Sequence, residues 1–268
     1  MNYRHAFHAG NFADCMKHAL LVWLLRAMQR KPAGVMVLDT HAGIGRYDLE
    51  TGPAQRTGEW RDGIARLLAA PSGALAEYLG LVRSLGLYPG SPALVLEMLR
   101  PQDRLVCCEL HPEDHATLKR GFGRHATVHK RDAWEALGGL LPPAERRAWV
   151  LIDPPYEAED EFERLMDGLK LGVSRFRSGV FAAWYPIKHR APVRAFHQAL
   201  RDSGIRDVVT AELWLRPPLD AARLNGCGLA VINPPFGFEA AAGEMLAALS
   251  AVLGELDGGC AVERICDE

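Results

Sequence analysis

Four acidic residues stand at or just beyond the end of a strand-like apolar run. Asp39 follows Val35-Met36-Val37-Leu38, and Glu109 follows Arg104-Leu105-Val106-Cys107-Cys108. Asp132 lies shortly after Ala126–His129, and Asp153 closes Val150-Leu151-Ile152. In open α/β sheets ligands sit outside the carboxyl ends of the strands, so these are the positions where chemistry is expected. The most specific of them is Asp153-Pro154-Pro155-Tyr156. An exocyclic amine on a nucleobase is a poor nucleophile because its lone pair is delocalised into the ring. A carboxylate at Asp153 and the Pro154 carbonyl can each accept one N–H bond and turn that lone pair toward an electrophilic methyl group. The two prolines hold the acceptors rigid, and positioning of this kind is a major part of catalysis. Tyr156 supplies a ring on which an extracted base can stack.

Asp39 begins an Asp-x-x-x-Gly-x-Gly turn with Gly43 and Gly45. Glycines let backbone approach a ligand closely. A dinucleotide fingerprint would need a third glycine where Asp48 stands, and a phosphate-cradling loop would end in Gly-Lys-Ser/Thr, which is absent. The remaining fit is S-adenosylmethionine, whose amino-acid end is zwitterionic. Glu109 suits the ribose hydroxyls of that cofactor, although it lies far beyond the usual interval of about 20 residues after the glycines. An insertion of roughly fifty residues accounts for the gap. Asp132 can accept from the cofactor's adenine amine. Val231-Ile232-Asn233-Pro234-Pro235-Phe236 has the same form as the Asp153 motif, since Asn can replace Asp there. Chain order favours Asp153, which alone follows the glycine loop and the two nucleoside acids at regular β/α spacing; Asn233 is read as the end of the final antiparallel strand.

The elements that must position these residues alternate. Asn11 caps a helix reaching about Gln29, with Ala19, Leu20, Trp23 and Ala27 on one face. Approximately residues 51–100 lack strand-like alternation and are expected to be helical, with Ser91-Pro92 opening the last helix. Further strands are expected at Gly179–Trp184, Ile205–Leu215 and Leu229–Ile232, with helices at Pro112–Gly121, Ala133–Leu140, Asp160–Leu171, Pro192–Arg201 and Glu239–Leu253. Strands alternating with helices give a mostly parallel sheet covered on both faces. The consecutive late strands predict an antiparallel pair at one edge. One domain of 1–268 is expected, with an inserted helical subdomain over about 51–100.

With 268 residues, 49% of them hydrophobic, the chain can build a sizeable core. Six scattered cysteines form no C-x-x-C pair, and the histidines lack ligand spacing, so no metal is expected. No apolar run reaches the roughly 18 residues of a membrane span, and the polar start has no secretory core; a cytoplasmic protein is expected. Net charge is −2, which excludes a general polycation. Its distribution is uneven, with cations and histidines over the first 31 residues and mostly acids after Asn233. The N-terminal segment, taken by itself, reads as a polar arm.

Taken together, several segments resemble the bacterial ribosomal RNA large-subunit methyltransferase J family. They are Tyr3-Arg4-His5-Ala6-Phe7-His8-Ala9-Gly10-Asn11, Leu38-Asp39-Thr40-His41-Ala42-Gly43, Gly45-Arg46-Tyr47, Tyr88-Pro89-Gly90-Ser91-Pro92, Glu109-Leu110-His111-Pro112, Asp153-Pro154-Pro155-Tyr156-Glu157, Trp184-Tyr185-Pro186 and Ile232-Asn233-Pro234-Pro235. The match runs nearly end to end and in order. It implies a Rossmann-like class I S-adenosylmethionine-dependent methyltransferase acting on an adenine N6 of 23S ribosomal RNA; a monomer is expected. It implies cofactor contacts at His18, His41, Ser91, Glu109, Asp132, Ala133 and Asp153, to which the glycine turn adds Gly43. Asp153 would be the catalytic acceptor, assisted by Pro154 and Tyr156. Tyr3, His5 and Lys17 would meet the substrate, and residues 1–30 would close over the cofactor site. That replaces the plain reading of the N-terminal arm. The chain departs from the family at Ala133, where Gly is usual, and more broadly over Leu219–Gly228. A DNA adenine methyltransferase shares the same catalytic residues but usually carries a larger target-reading domain. A non-catalytic RNA- or nucleoside-binding protein on this scaffold sits poorly with an intact Asp153 motif.

Overall fold

The computed structural model describes residues 4–268. Helix α1 (Phe12–Gln29) is capped by Asn11, whose side chain accepts from the Asp14 amide. It is buried on nearly every side, not only on the face carrying Ala19, Leu20, Trp23 and Ala27. Strand β1 (Met36–Asp39) follows, fully buried. A two-residue ribbon pairs β2 (Arg46–Tyr47) with β3 (Tyr88–Pro89). Between and after them come four short helices, α2 (Gly52–Thr57), α3 (Ile64–Ala69), α4 (Ala76–Ser84) and α5 (Ser91–Met98). Ile64, Leu67, Leu75, Tyr78 and Leu79 from this stretch pack into the same core as α1.

The β/α alternation then runs through β4 (Arg104–Cys108), α6 (Pro112–Phe122), β5 (Thr127–His129), α7 (Ala133–Leu140), β6 (Ala148–Ile152), α8 (Glu161–Arg175), β7 (Val180–Ile187) and α9 (Arg190–Asp202). The chain ends with β8 (Val208–Trp214), β9 (Gly226–Ile232), α10 (Phe238–Leu253) and β10 (Gly259–Cys266). Eight strands form one sheet in the order β10-β8-β9-β7-β6-β1-β4-β5. The run β7-β6-β1-β4-β5 is parallel. Its central strands read as uninterrupted apolar segments because both faces are covered. One face carries α1, α5 and α10, the other α7, α8 and α9.

Two expectations about the late strands need correction. The strand ending at Ile232 is not the last, because β10 follows and pairs antiparallel with β8. The β8–β9 pair consequently lies inside the sheet, between β7 and β10, and β10 takes the edge. The sequence Cys260–Cys266 hides this strand because an edge strand is half solvated and carries charge, here Glu263 and Arg264.

Because β9 runs against β7, its carboxyl end emerges at the opposite end of the sheet from those of β1, β4 and β6. Asn233 therefore sits ahead of β7. Its side chain donates to the Arg177 carbonyl at 2.8 Å and to the Gly179 carbonyl at 2.7 Å, with φ at 53°. Asparagine tolerates that left-handed backbone better than other non-glycine residues. Asn233→Ala is expected to lose about 2 kcal/mol from the missing bonds and the less suitable backbone. Urea unfolding of the variant checks this; an unchanged midpoint would remove Asn233 from the fold's supports.

Candidate active site

Asp39, Glu109, Asp132 and Asp153 lie at one end of the sheet because the strands they follow, β1, β4, β5 and β6, are parallel neighbours. Glu109, Asp132 and Asp153 border a cavity of about 300 Å³ together with His18, His41, Gly43 and Ser91, and Asp39 lies behind Ser91. Ala133 and Trp134, which open α7, line it as well.

Asp39 is buried, and the Ser91 hydroxyl donates to its Oδ2 at 2.6 Å. Burial pushes its carboxyl up to about 6, against that hydrogen bond. Gly43 has φ at 59°, and a Cβ there would come within 2.4 Å of the Tyr47 hydroxyl. The loop must therefore be glycine at that point. Glu109 ties it down: its Oε2 accepts from the Gly43 amide at 2.9 Å and its Oε1 from the His111 amide at 2.7 Å. Each carboxylate oxygen keeps a further lone pair for a ligand hydroxyl. Asp132 caps α7 through Oδ1, which accepts from the Trp134 and Glu135 amides. It is thus a helix cap and a cavity wall at once.

The two histidines are held neutral. His18 is fully buried in α1, and its Nδ1 lies 3.1 Å from the Tyr88 hydroxyl. Burial lowers it to about 3. Its Nε2 is buried without a hydrogen bond and lies 3.4 Å from Asp14 Oδ1. Burial likewise lowers His41 to about 4. The Asp153 amide donates to His41 Nδ1 at 3.4 Å.

Lys17 is 5% exposed. Its ammonium donates to Asp153 Oδ2 at 2.6 Å and lies 3.0 Å from Asp14 Oδ1. Burial opposes the charge, but Asp153 and Asp14 hold Lys17 well above the ordinary lysine value. Asp14, 3% exposed, also meets His5 Nε2 at 3.2 Å and accepts from the Gly10 amide at 3.0 Å. Asp14 is the site residue that sequence reasoning missed. Its signal was present: Asp14, Lys17 and His18 stand at i, i+3 and i+4 on one helix, so they share a face.

A second, more open groove of about 990 Å³ lies beside the first and is bordered by Pro154, Tyr156, Trp184, Lys188 and Arg223. Both cavities share His5, Lys17, Asp153 and Pro155. Asp153 consequently stands at their junction. Tyr156, with φ at 51°, donates its hydroxyl to the Trp184 carbonyl at 3.0 Å. Its ring packs edge-on against Phe162 and Trp184. With the hydroxyl engaged, its remaining contribution to the groove is ring surface. Tyr3 lies outside the described residues. Among the described residues no group of three or more His, Cys, Asp or Glu is placed to hold a metal ion. No helix among them is long and apolar enough to cross a membrane.

The buried histidines have a measurable consequence. In the unfolded chain His18 takes up a proton below about pH 6.5, while in the folded protein it stays neutral down to about 3. Stability present above pH 6.5 is therefore lost as pH falls from 6.5 toward 3. Asp39, raised to about 6, acts in the opposite sense and offsets part of the loss. His18→Gln removes one such proton. Between pH 6.5 and 5 its unfolding free energy is expected to fall by ~2 kcal/mol less than that of the parent. Parallel urea-stability profiles for the two proteins would contradict a neutral buried His18.

Comparison with known proteins follows the same outline. The family model described as "Ribosomal RNA large subunit methyltransferase D, RlmJ" matches residues 32–266. The chain is 37% identical to the ribosomal RNA large subunit methyltransferase J of Haemophilus influenzae, covering 100% of both. It is 38% identical to the Escherichia coli protein of that name, covering 89% of each. A crystal structure of a Legionella pneumophila protein superposes with a TM-score of 0.87 at 33% identity, over 96% of this chain and 98% of the other. The chain belongs to the ribosomal RNA large subunit methyltransferase D, RlmJ, family.

Proposed function

We propose that this protein transfers a methyl group from S-adenosylmethionine to the exocyclic N6 of an adenine in 23S ribosomal RNA. The observation that carries the reading is the placement of Asp153 where the two cavities meet, with Lys17 on its Oδ2. Family membership supports the reaction class and a ribosomal RNA substrate. The smaller cavity offers what the cofactor needs: Glu109 for ribose hydroxyls, Asp132 and the Ala133 backbone for the adenine, and His18, His41, Gly43 and Ser91, the last held by Asp39, toward the amino-acid end. S-adenosylmethionine, when bound, supplies an electrophilic methyl on a sulfonium sulfur.

The chain's own groups do the remaining work. Lys17 occupies Asp153 Oδ2, which leaves Oδ1 as the oxygen that accepts an amine N–H. The Pro154 carbonyl accepts the other. Lys17, kept as an ammonium, donates only; it fixes the carboxylate and takes no proton from the amine. His5 and Tyr156 border the groove on the substrate side, and Tyr3 precedes His5 in the N-terminal motif. We further propose that the enzyme works as a monomer in the cytoplasm without a metal.

The direct test is transfer of labelled methyl from S-adenosylmethionine to protein-free 23S RNA lacking its natural methylation, followed by nucleoside analysis. The expected product is N6-methyladenosine. Asp153→Ala should reduce transfer by at least ~100-fold while cofactor binding persists, and folded Asn233→Ala should remain active. Label in another nucleoside, transfer only to DNA, or an active Asp153→Ala would overturn the assignment.

A further inference from the structure

Between His115 and Arg131 the chain carries Lys119, Arg120, Arg124, Lys130 and Arg131, and no Asp or Glu. This stretch comprises most of α6, the loop after it, and β5, the edge strand of the sheet. Lys119, Arg120, Arg124 and Lys130 are exposed, and Arg131 lines the smaller cavity. Among the described residues none of the five meets a carboxylate. The two acids of the first turn of α6, Glu113 and Asp114, are already engaged by Arg4.

Several arginines elsewhere on the surface are paired instead. Arg26, Arg104, Arg201, Arg216 and Arg264 each find a carboxylate partner. A charge run is ordinarily a solvated face with both signs mixed. Here the cations crowd one another enough to be felt by their neighbours. After burial itself, Lys119 and Lys130 lower the His115 value, and Arg131 and Arg104 lower that of His129. Arg46, exposed on β2, adds a sixth cation by lying over the Phe122 ring at the end of α6. The set spans α6, the loop after it and the end of β5, and reaches the cavity at Arg131.

We propose that this edge, α6 with β5, is the surface that holds the phosphodiester backbone of the RNA substrate while the target adenine enters beside Asp153. The inference rests on the RNA-methyltransferase reading above and adds where the polymer lies. Unpaired cations on one face of a chain with net charge −2 provide local attraction for a polyanion, and each phosphate they neutralise releases counterions. Phosphate contacts of this kind fix position and carry no base identity.

The test is the triple variant Lys119→Gln, Arg124→Gln, Lys130→Gln, none of which touches the cavities. Its partner is a control in which Arg175, Arg177 and Arg194, on α8, its following loop and α9, are changed to Gln. Melting curves first establish that both fold. Binding of a transcript of large-subunit ribosomal RNA is then measured across a salt series, with methyl transfer to the same transcript. The expected result for the triple variant is a KM for RNA raised by about 10-fold or more, with kcat and cofactor affinity unchanged. The slope of log K against log salt should shrink by roughly two to three. The control should behave as the parent. Equal slopes and KM for parent and triple variant, with methylation intact, would overturn the edge as the RNA surface; so would an equal loss in the control. Equal, patch-dependent binding of anionic lipid vesicles would assign the surface to polyanions in general and overturn its assignment to RNA. If the parent binds the transcript through these residues but methylates no RNA, the catalytic reading fails and the binding surface stands.

Discussion

One buried ammonium shared between two carboxylates governs the arrangement of this molecule. Lys17 links Asp14 on its own helix to Asp153 at the end of β6. All three side chains are largely withdrawn from water, with Asp153 the most accessible at 17%. Withdrawing such charges costs several kcal/mol per ion, and their mutual attraction offsets this only when every partner is in place. The bond lengths of 2.6 and 3.0 Å meet that condition. The consequence is mechanical. α1 cannot shift relative to the β6 loop without stranding a charge, so the N-terminal helix and the Asp-Pro-Pro-Tyr turn form one unit. His5, resting on the other oxygen of Asp14, extends that unit to the N-terminal arm, and Arg4 continues it to α6.

Strand direction decides which of two similar motifs can do chemistry. Asp153-Pro154-Pro155-Tyr156 and Asn233-Pro234-Pro235-Phe236 both close an apolar strand. β6 runs with β1 and β4, so Asp153 arrives beside the glycine loop and Glu109. β9 runs the other way, and Asn233 arrives at the far end, where its amide ties down the backbone ahead of β7. The aromatic residues diverge accordingly. Tyr156 is fixed by the Trp184 carbonyl beside the groove, whereas Phe236 is 94% exposed.

Most of this frame was legible in the sequence because buried parallel strands are short, continuous and apolar, and because each is followed by a polar residue at the ligand-facing end. The same logic located Asp39, Glu109, Asp132 and Asp153. It failed where burial and residue type part company. β10 was invisible because edge strands are half wet, so Glu263 and Arg264 broke its pattern. Asp14 was passed over because an acid in the first turn of a helix usually serves the helix dipole; only the fold reveals that α1 is enclosed on nearly all sides, which turns that acid into a buried anchor. The N-terminal arm failed for the same reason. Its histidines look like solvent-facing groups until the partner of His5, itself deep in α1, is known. Asp132 shows the converse: its cap role and its cavity role are both satisfied by one carboxylate, so neither excludes the other.

Charge is organised oppositely inside and outside the site, and this explains how a slightly acidic protein can address a polyanion. Within the cavities, burial either neutralises a group, as for His18 and His41, or forces it into a pair, as for Lys17 with Asp14 and Asp153. Beside Asp153, Lys17 is committed to two carboxylates and offers no free charge to a phosphate. Along α6 and β5 the reverse holds, since exposure to water makes unpaired cations cheap to keep. Attraction over about 8–10 Å, the screening distance at physiological salt, depends on this local excess and not on the sum over the chain. Net charge therefore says little about the substrate of such a protein, while the placement of its unpaired charges says a good deal. The division of labour follows from dielectric alone: recognition of the backbone belongs on the wet rim, and orientation of the amine belongs where water has been removed.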